Sequence, residues 1–222
     1  MENKFNLTLK QNRFLTKKNL VNMVYSNSKF EGVNTTLPQT KTIIDGMSVA
    51  GVSIDDIQVI INLKKGLEFV LSHSEPFRLD ICRQINRIVA AEDALVPGQI
   101  RTGSVQIGGV QYVPPVPEAS NVKSAIQEIM GDDQTATEKA LQIMYEIMRQ
   151  QIFWDGNKRT AILSANYILI NAGAGIVNIN ENQLETFNTL LANYDETVIY
   201  RPSCSGHTII VYMALNLNNC HL

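Results

Sequence analysis

The run QIFWDGNKRTA, residues 151–161, is the densest group of chemically capable residues in the chain, and it interrupts two stretches of helical periodicity. Asp155 supplies a carboxylate, the ligand type that hard divalent cations prefer, and Gly156 permits a tight backbone. Asn157 is expected to begin the next helix, with Lys158 and Arg159 in its first turn. Free N–H groups at a helix start, beside two cations, suit a phosphate. Cations there oppose the helix dipole unless an anion is bound. The run therefore predicts an anion site; a capped helix with two solvated cations is the alternative.

Apolar residues on both sides of this run recur at helical spacings of three and four. Helices are predicted over residues 17–29, 54–72, 77–93, about 134–150, a stretch after Asn157, 183–194 and 206–217. The sequence therefore predicts a mostly α-helical protein.

One stretch, VPGQIRTGSVQIGGVQYVPPVP at residues 96–117, breaks the helical pattern. Gly108-Gly109 lies between two alternating runs, which is typical of a β-hairpin turn. Val105 then faces Tyr112 across the strands, and the prolines from Pro114 onward stop the second strand. Because a lone hairpin is marginal in water, it is expected to pack on the helices. A purely structural excursion between helices is the alternative.

Composition excludes several classes of protein. The chain has 222 residues, 45% hydrophobic and 18% charged, with a formal net charge of -2. This length suits one or two domains, and the charge balance offers no basic field for direct binding to nucleic acid or anionic lipid. The three cysteines, Cys82, Cys204 and Cys220, lie far apart without CxxC spacing, which argues against a disulfide framework or a zinc site. The polar N-terminus and the lack of a long apolar run predict a cytoplasmic protein without a membrane span.

Three segments resemble the Fic/Doc (Fido) family. Its signature loop reads His-x-Phe-x-(Asp/Glu)-Gly-Asn-(Gly/Lys)-Arg, and the matching residues are Phe153, Asp155, Gly156, Asn157, Lys158 and Arg159. RTGSVQIGGVQYVPP, which begins at Arg101, resembles the hairpin flap that aligns the target chain in that family. NSKFEG at 27–32 resembles the inhibitory motif (Ser/Thr)-x-x-x-Glu-(Gly/Asn) through Glu31 and Gly32. The resemblance is expected to extend over about residues 20 to 220.

The resemblance implies an all-α, mostly helical Fic fold with one β-hairpin flap. It divides the chain into an N-terminal helical extension over residues 1–50, which carries the inhibitory motif, and a core domain over residues 51–222. It also implies an enzyme that uses ATP with Mg²⁺, transfers AMP to a Ser, Thr or Tyr hydroxyl of a protein or of itself, and releases pyrophosphate. The sequence does not give the target protein or the oligomeric state.

The resemblance further implies roles for individual residues. The catalytic set is Gln151, Asp155, Asn157 and Arg159. Asp155 also holds the metal, while the nucleotide phosphates contact Gly156, Asn157, Lys158 and Arg159. Glu31 inhibits, and the target-docking residues of the flap are Arg101, Thr102, Gly103, Val105 and Ile107.

Three departures from the family pattern affect the predicted activity. Gln151 occupies the position of the histidine base, and a neutral amide does not accept a proton near pH 7. Since general-base catalysis contributes about 10²–10⁴-fold, AMP transfer is expected to be slow. Lys158 replaces the glycine of the AMP-transferring members, as in the Doc-like form that transfers the γ-phosphoryl group. The second arginine of the longer motif falls on Ile162, so Glu31 is expected to contact Arg159 or Lys158 instead, or to be an ordinary exposed acid.

Two other functions therefore stay open from the sequence. Lys158 favours a Doc-like phosphotransferase. Gln151 favours a catalytically degenerate nucleotide-binding module that regulates a partner.

Overall fold

A computed structural model describes residues 1–107 and 111–197 as a mostly helical protein, which confirms the predicted helical fold. Its helices are α1 (Leu9–Ser28), α2 (Leu37–Ile44), α3 (Ile54–Ser72), α4 (Leu79–Val89), α5 (Ala119–Gly131), α6 (Ala136–Gln150), α7 (Asn157–Ala172) and α8 (Leu184–Thr197). Short 3-10 turns, Lys29–Glu31 and Glu181–Gln183, follow α1 and precede α8. The helix predicted over residues 206–217 lies outside the described residues, as do Cys204 and Cys220.

Helix α7 is the centre of the fold. It packs against α1, α3, α4 and α6, and its residues from Arg159 to Ile170 are all buried. A helix that is apolar on every side is stable only when other elements surround it. The first turn of α7, which carries the predicted site, is therefore fixed by the whole core.

Helix α1 begins at Leu9, eight residues before the predicted start. Thr8 and Gln11 form a reciprocal capping box there, a polar signal that apolar periodicity does not detect. The buried Asn12 side chain donates to the carbonyl of Gly175 at 2.8 Å and accepts from its N–H at 3.0 Å. These contacts fix the first turn of α1 to the segment after α7.

The predicted hairpin is not shown by the described residues. Residues 102–117, here called the flap segment, form no strand ladder in their described part, and residues 108–110 at the predicted turn are outside it. Exposure nevertheless alternates as the sequence predicts, with Val105 and Ile107 half-buried and Ser104 and Gln106 exposed. One isolated antiparallel bridge joins Ile100 to Phe153 just before the segment. The described part of the flap segment thus has no regular secondary structure, and the residues just before it contact the loop before α7.

Two further observations concern the described helices. Among the described helices, none has the length and apolarity that crossing a membrane requires. Cys82 is fully buried on α4, and this burial raises the pKa of its thiol to about 12. Cys82 is therefore a protonated packing residue.

Candidate active site

Two left-handed residues shape the loop between α6 and α7, here called the motif loop (residues 151–156). Gln151 ends α6 with φ 45°, the one non-glycine residue with positive φ in the described parts of the chain. Gly156 precedes α7 with φ 69°, and a Cβ added there would lie 2.8 Å from the Cβ of Ala90. Both the left-handed backbone and the close approach of α4 therefore require glycine at position 156.

We expect Gly156→Ala to destabilise the protein by about 2 kcal/mol or more. A left-handed conformation costs an L-residue about 1–2 kcal/mol, and the contact with Ala90 adds to this. Gly131→Ala is the matched control, because Gly131 has no positive φ and no atom within 4 Å of an added Cβ. The midpoint of urea unfolding measures the stability of both variants. Equal midpoints for the two variants would contradict the required geometry at position 156.

The Asn157 side chain closes the motif loop. Its Oδ1 accepts from the Phe153 N–H at 2.9 Å, while its Nδ2 donates to the Phe153 carbonyl at 2.9 Å and to Gln151 Oε1 at 3.1 Å. Asn157 is expected from the sequence to hold phosphates, but this amide is engaged within the protein. What Asn157 can offer a phosphate is its backbone N–H, since the first N–H groups of a helix have no intrahelical acceptor.

A second buried amide, that of Asn86 on α4, is hydrogen-bonded to the motif loop. Its Nδ2 donates to the Asp155 carbonyl at 2.9 Å and to Thr160 Oγ1 at 3.0 Å, and its Oδ1 accepts from the Gly98 N–H at 2.8 Å. Sequence reasoning missed Asn86. The available signal was a polar residue on the buried face of an amphipathic helix, which fixes burial but not the partner.

Arg159 gathers three carboxylates at the start of α7. Its side chain is 1% exposed, its Nε lies 2.8 Å from Glu31 Oε1, and its two terminal nitrogens lie 2.8 Å from Asp93 Oδ2 and 3.5 Å from Asp155 Oδ1. The Glu31 contact is an ion pair by distance, because the Nε–H is not aligned with the oxygen as a hydrogen bond. A further hydrogen bond to the Val89 carbonyl, 2.6 Å long, anchors the guanidinium to α4. Arg159 is thus fixed in place and surrounded by anions.

Glu31 is the acid that reaches the site from the N-terminal segment. From the sequence, Glu31 is expected to contact Arg159 or Lys158, and the structure shows the contact with Arg159. Burial raises the pKa of the Glu31 carboxyl above its usual range, as do the nearby Asp155 and Asp93, while Arg159 and Lys158 act in the opposite direction. Asp93, which lies after α4, is a second residue that sequence reasoning missed, since nothing in its local pattern marks it.

Lys158 lies on the side of α7 that faces α8 and the 3-10 turn that follows α1. Its Nζ donates to Asn188 Oδ1 at 3.2 Å and lies 5.7 Å from the centre of the Phe30 ring. Phe30 in turn packs edge-to-face on Phe187, with ring centres 5.6 Å apart. Phe30, the residue before Glu31, therefore packs against α7 and α8. This packing holds the Glu31 carboxylate next to Arg159.

Gln151 stands where the family places its base, and its amide is engaged on both sides. Its Nε2 donates to the Met148 carbonyl at 2.6 Å, and its Oε1 accepts from Asn157. Neither atom is basic near neutral pH. In this conformation, position 151 builds the loop and contributes no proton acceptor.

Arg101 is buried next to the motif loop. Its guanidinium donates to backbone carbonyls, among them that of Gln151 at 2.5 Å. Its side chain is not on the surface expected for a target-docking residue. Thr102 is exposed, Gly103 lies under the Trp154 ring, and Val105 and Ile107 are half-buried. The described structure therefore brings together Glu31 and residues 151–159 at one end of α7, with the flap segment beside them.

Comparisons with known proteins concern the family and the fold of the chain. Residues 76–169 match the family model described as the Fic/DOC family. "Protein adenylyltransferase fic-1" of Caenorhabditis elegans is 30% identical over 161 residues, 68% of this chain and 32% of that protein. "Protein adenylyltransferase Fic" of Drosophila erecta is 26% identical over 206 residues, 86% of this chain and 41% of that protein. This chain therefore spans less than half the length of these curated relatives.

A solved structure extends the likeness to the fold. The crystal structure of a Fic-domain-containing signalling protein from Bacteroides thetaiotaomicron matches with a TM-score of 0.78, over 95% of this chain and 87% of that one. The sequences are 21% identical, so this match concerns the fold alone.

Proposed function

The chain belongs to the Fic/DOC family, and on that premise we propose that it transfers AMP from ATP to a Ser, Thr or Tyr hydroxyl of a protein. One observation carries the proposal: the buried Arg159 guanidinium, at the start of α7, lies beside the half-exposed Asp155 carboxylate. A fixed cation at a helix N-terminus suits the charge of a transferring phosphoryl group. The names of the relatives support the same activity.

Asp155 is the residue that fits Mg²⁺. Its carboxylate is 49% exposed, and its Oδ1 accepts from the Gly156 N–H, which leaves room for a metal on the solvent side. The described residues contain no group of three His, Cys, Asp or Glu able to hold a metal alone. Mg²⁺ commonly uses one or two carboxylates with substrate phosphates, so a single carboxylate is sufficient. When bound, the metal would neutralise charge on the phosphates.

In the proposed reaction, the target hydroxyl oxygen bonds to the α-phosphorus, and the bond from that phosphorus to the bridging oxygen breaks. Pyrophosphate leaves, and the hydroxyl proton passes to a base. Arg159 and the backbone N–H groups of 157–159 hold the phosphates, with Lys158 at the side. Because Gln151 accepts no proton, the proton goes to water, and the step is slower by about 10²–10⁴-fold than with a positioned base.

The flap segment supplies the surface for the target. Residues 102–107 show alternating exposure, and no backbone hydrogen bond links them to another strand in residues 1–107 and 111–197. A segment whose backbone groups are not paired in a strand ladder can add a strand from a partner. We assign the docking of the target backbone to residues 102–107, with the target hydroxyl near position 151.

The N-terminal residues 1–50 act as an inhibitory extension to the core over 51–222. Glu31 occupies the Nε side of Arg159, and a phosphate needs the same guanidinium. ATP therefore binds in competition with the Glu31 carboxylate. Since the family's second arginine is replaced by the buried Ile162, Arg159 serves both the inhibitor and the nucleotide.

We expect Glu31→Gln to tighten ATP binding by at least about fivefold. The change removes the competing charge but keeps the size of the side chain, and a charge-assisted contact of this kind is worth about 1.5–3 kcal/mol before solvent screening. Asp45→Asn is the control, because Asp45 pairs with Lys41 on the surface of α2. Calorimetry measures both affinities. Identical values for wild type and Glu31→Gln would remove Glu31 from the nucleotide site.

A second function is favoured by one observation, the hydrogen bonding of the Gln151 amide to Met148 through its nitrogen and to Asn157 through its oxygen. A site that binds ATP but never turns it over would act as a regulatory module. Mass spectrometry after incubation with ATP and Mg²⁺ separates the two functions. An AMP adduct on a Ser, Thr or Tyr residue supports transfer, whereas saturable binding without any adduct in the wild type and in Gln151→His supports the module.

A further inference from the structure

Arg101 is a fully buried cation that is surrounded by backbone carbonyls. Its Nε donates to Gln151 O at 2.5 Å, and its other nitrogens donate to Gln150 O at 3.1 Å, Gly103 O at 2.6 Å, Pro115 O at 2.6 Å and Pro114 O at 3.3 Å. In residues 1–107 and 111–197 no carboxylate pairs with it. Burial lowers the pKa of the guanidinium, but arginine remains charged at neutral pH.

One half of this contact set caps helix α6. The carbonyls of Gln150 and Gln151 belong to the last turn of the helix, where backbone acceptors have no intrahelical donor. A cation at a helix C-terminus is also favoured by the helix dipole. Gln151 adopts φ 45°, a conformation that is unfavourable for a residue with a side chain. Arg101 therefore stabilises the unusual backbone on which the motif loop begins.

The other half of the contact set holds the flap segment. Gly103 lies near its beginning and Pro115 near its end, and the same guanidinium binds both. The backbone N–H of Arg101 adds a hydrogen bond to the Ile152 carbonyl at 3.0 Å. Because the described part of the segment has no strand ladder, this one side chain joins its two ends to each other and to the motif loop.

We propose that Arg101 is a positioning residue that couples the flap segment to position 151. The proposal rests on the function proposed above, in which the flap segment docks the target. Arg101 does not touch the target, because its side chain is completely buried. It sets the distance between the docked chain and the place where the hydroxyl reacts.

This coupling has a kinetic consequence. A misplacement of about 1 Å in a reacting group can reduce a rate by about 10²-fold. Loss of the Arg101 contacts should therefore raise the KM for the protein target and lower kcat together, by about 10–100-fold in kcat/KM. The affinity for ATP should change by less than about twofold, because Asn86, Asn157 and Arg159 hold the phosphate-binding turn.

The test is Arg101→Lys, which keeps the charge but does not reproduce the planar set of five donors. Digestion by a protease of broad specificity should cleave the flap segment at least tenfold faster, and hydrogen exchange read by mass spectrometry should be at least tenfold faster at residues 151–153, with exchange in α3 and α7 unchanged. Arg13→Lys is the matched control, since Arg13 also donates to a backbone carbonyl, that of His73, far from the site. Faster cleavage of the flap segment without faster exchange at residues 151–153, or no change in either region, overturns the coupling.

A measurement on the unchanged protein covers the case in which Arg101→Lys does not fold. The Nε–H of Arg101, observed by NMR, should exchange with water at least about 100-fold more slowly than that of free arginine. Exchange at the free rate overturns the proposal. Transfer kinetics for Arg101→Lys in the Gln151→His background then give the KM and kcat effects. If no AMP transfer occurs at all, the proposed function fails, while the exchange data still decide the coupling.

Discussion

Replacing Gln151 with histidine is expected to raise the rate of AMP transfer by at least tenfold, and by up to about 10⁴-fold if the rest of the site is in place. Position 151 adjoins Asn157 and follows directly from α6, where a base would face the reacting hydroxyl. Histidine is among the residues that adopt a left-handed backbone more readily, so φ 45° is compatible with the change. Labelling of protein with AMP over time measures the rate.

Gln151→Asn is the matched control for this gain. Asparagine also tolerates a left-handed backbone but supplies no base. We expect its rate to stay at the wild-type level or below. If the histidine variant binds ATP and still labels at the rate of the asparagine variant, proton acceptance at position 151 is not the missing component.

The second large effect concerns Arg159. Arg159→Ala is expected to weaken ATP binding by at least tenfold, because charge-assisted contacts are worth about 1.5–3 kcal/mol each. The change also leaves three carboxylates, Glu31, Asp93 and Asp155, without their shared cation. Their mutual repulsion is expected to lower the melting temperature of the variant as well. Calorimetry and thermal unfolding measure the two effects separately.

Two further variants separate binding from folding. Arg159→Ala combined with Glu31→Gln reduces the unpaired negative charge, so it should recover part of the stability but not the ATP affinity. Arg87→Ala, on the exposed face of α4, is a control for the loss of an arginine near the site. Unchanged ATP affinity in a folded Arg159→Ala protein would exclude this guanidinium from nucleotide binding.

The helical fold was predictable because its signal is local. Apolar spacing located α3, α4, α6 and α7, since a buried helical face must repeat about every 3.6 residues. The start of α1 was not found in this way, because its first turn is fixed by the polar capping box of Thr8 and Gln11. The hairpin depended on pairing between strands, which alternation of residues alone does not guarantee.

The residue types of the site were more predictable than the contacts between their side chains. The residue types of 155–159 indicate an anion site, and Glu31 was expected to contact Arg159 or Lys158. The contact of Asp93 with the same Arg159 guanidinium that Glu31 contacts was not predictable, because it depends on how α4 packs against α7. Arg101 was given a target-docking role from the family resemblance, and its burial was not foreseen because a charged side chain is rarely buried without a carboxylate. Its carbonyl partners come from three separate segments, which a linear pattern does not reveal.

The central claim, AMP transfer to a protein hydroxyl, is tested most directly with ATP labelled at the α- or the γ-phosphate. The Glu31→Gln, Gln151→His double variant should be incubated with each label, Mg²⁺ and a protein substrate mixture, beside the wild type. We predict that the α label becomes bound to protein, faster in the double variant, and that the γ label leaves with pyrophosphate. Transfer of the γ label to protein would instead identify a phosphotransferase. Absence of both labels from protein, with ATP binding intact, would contradict transfer by this site.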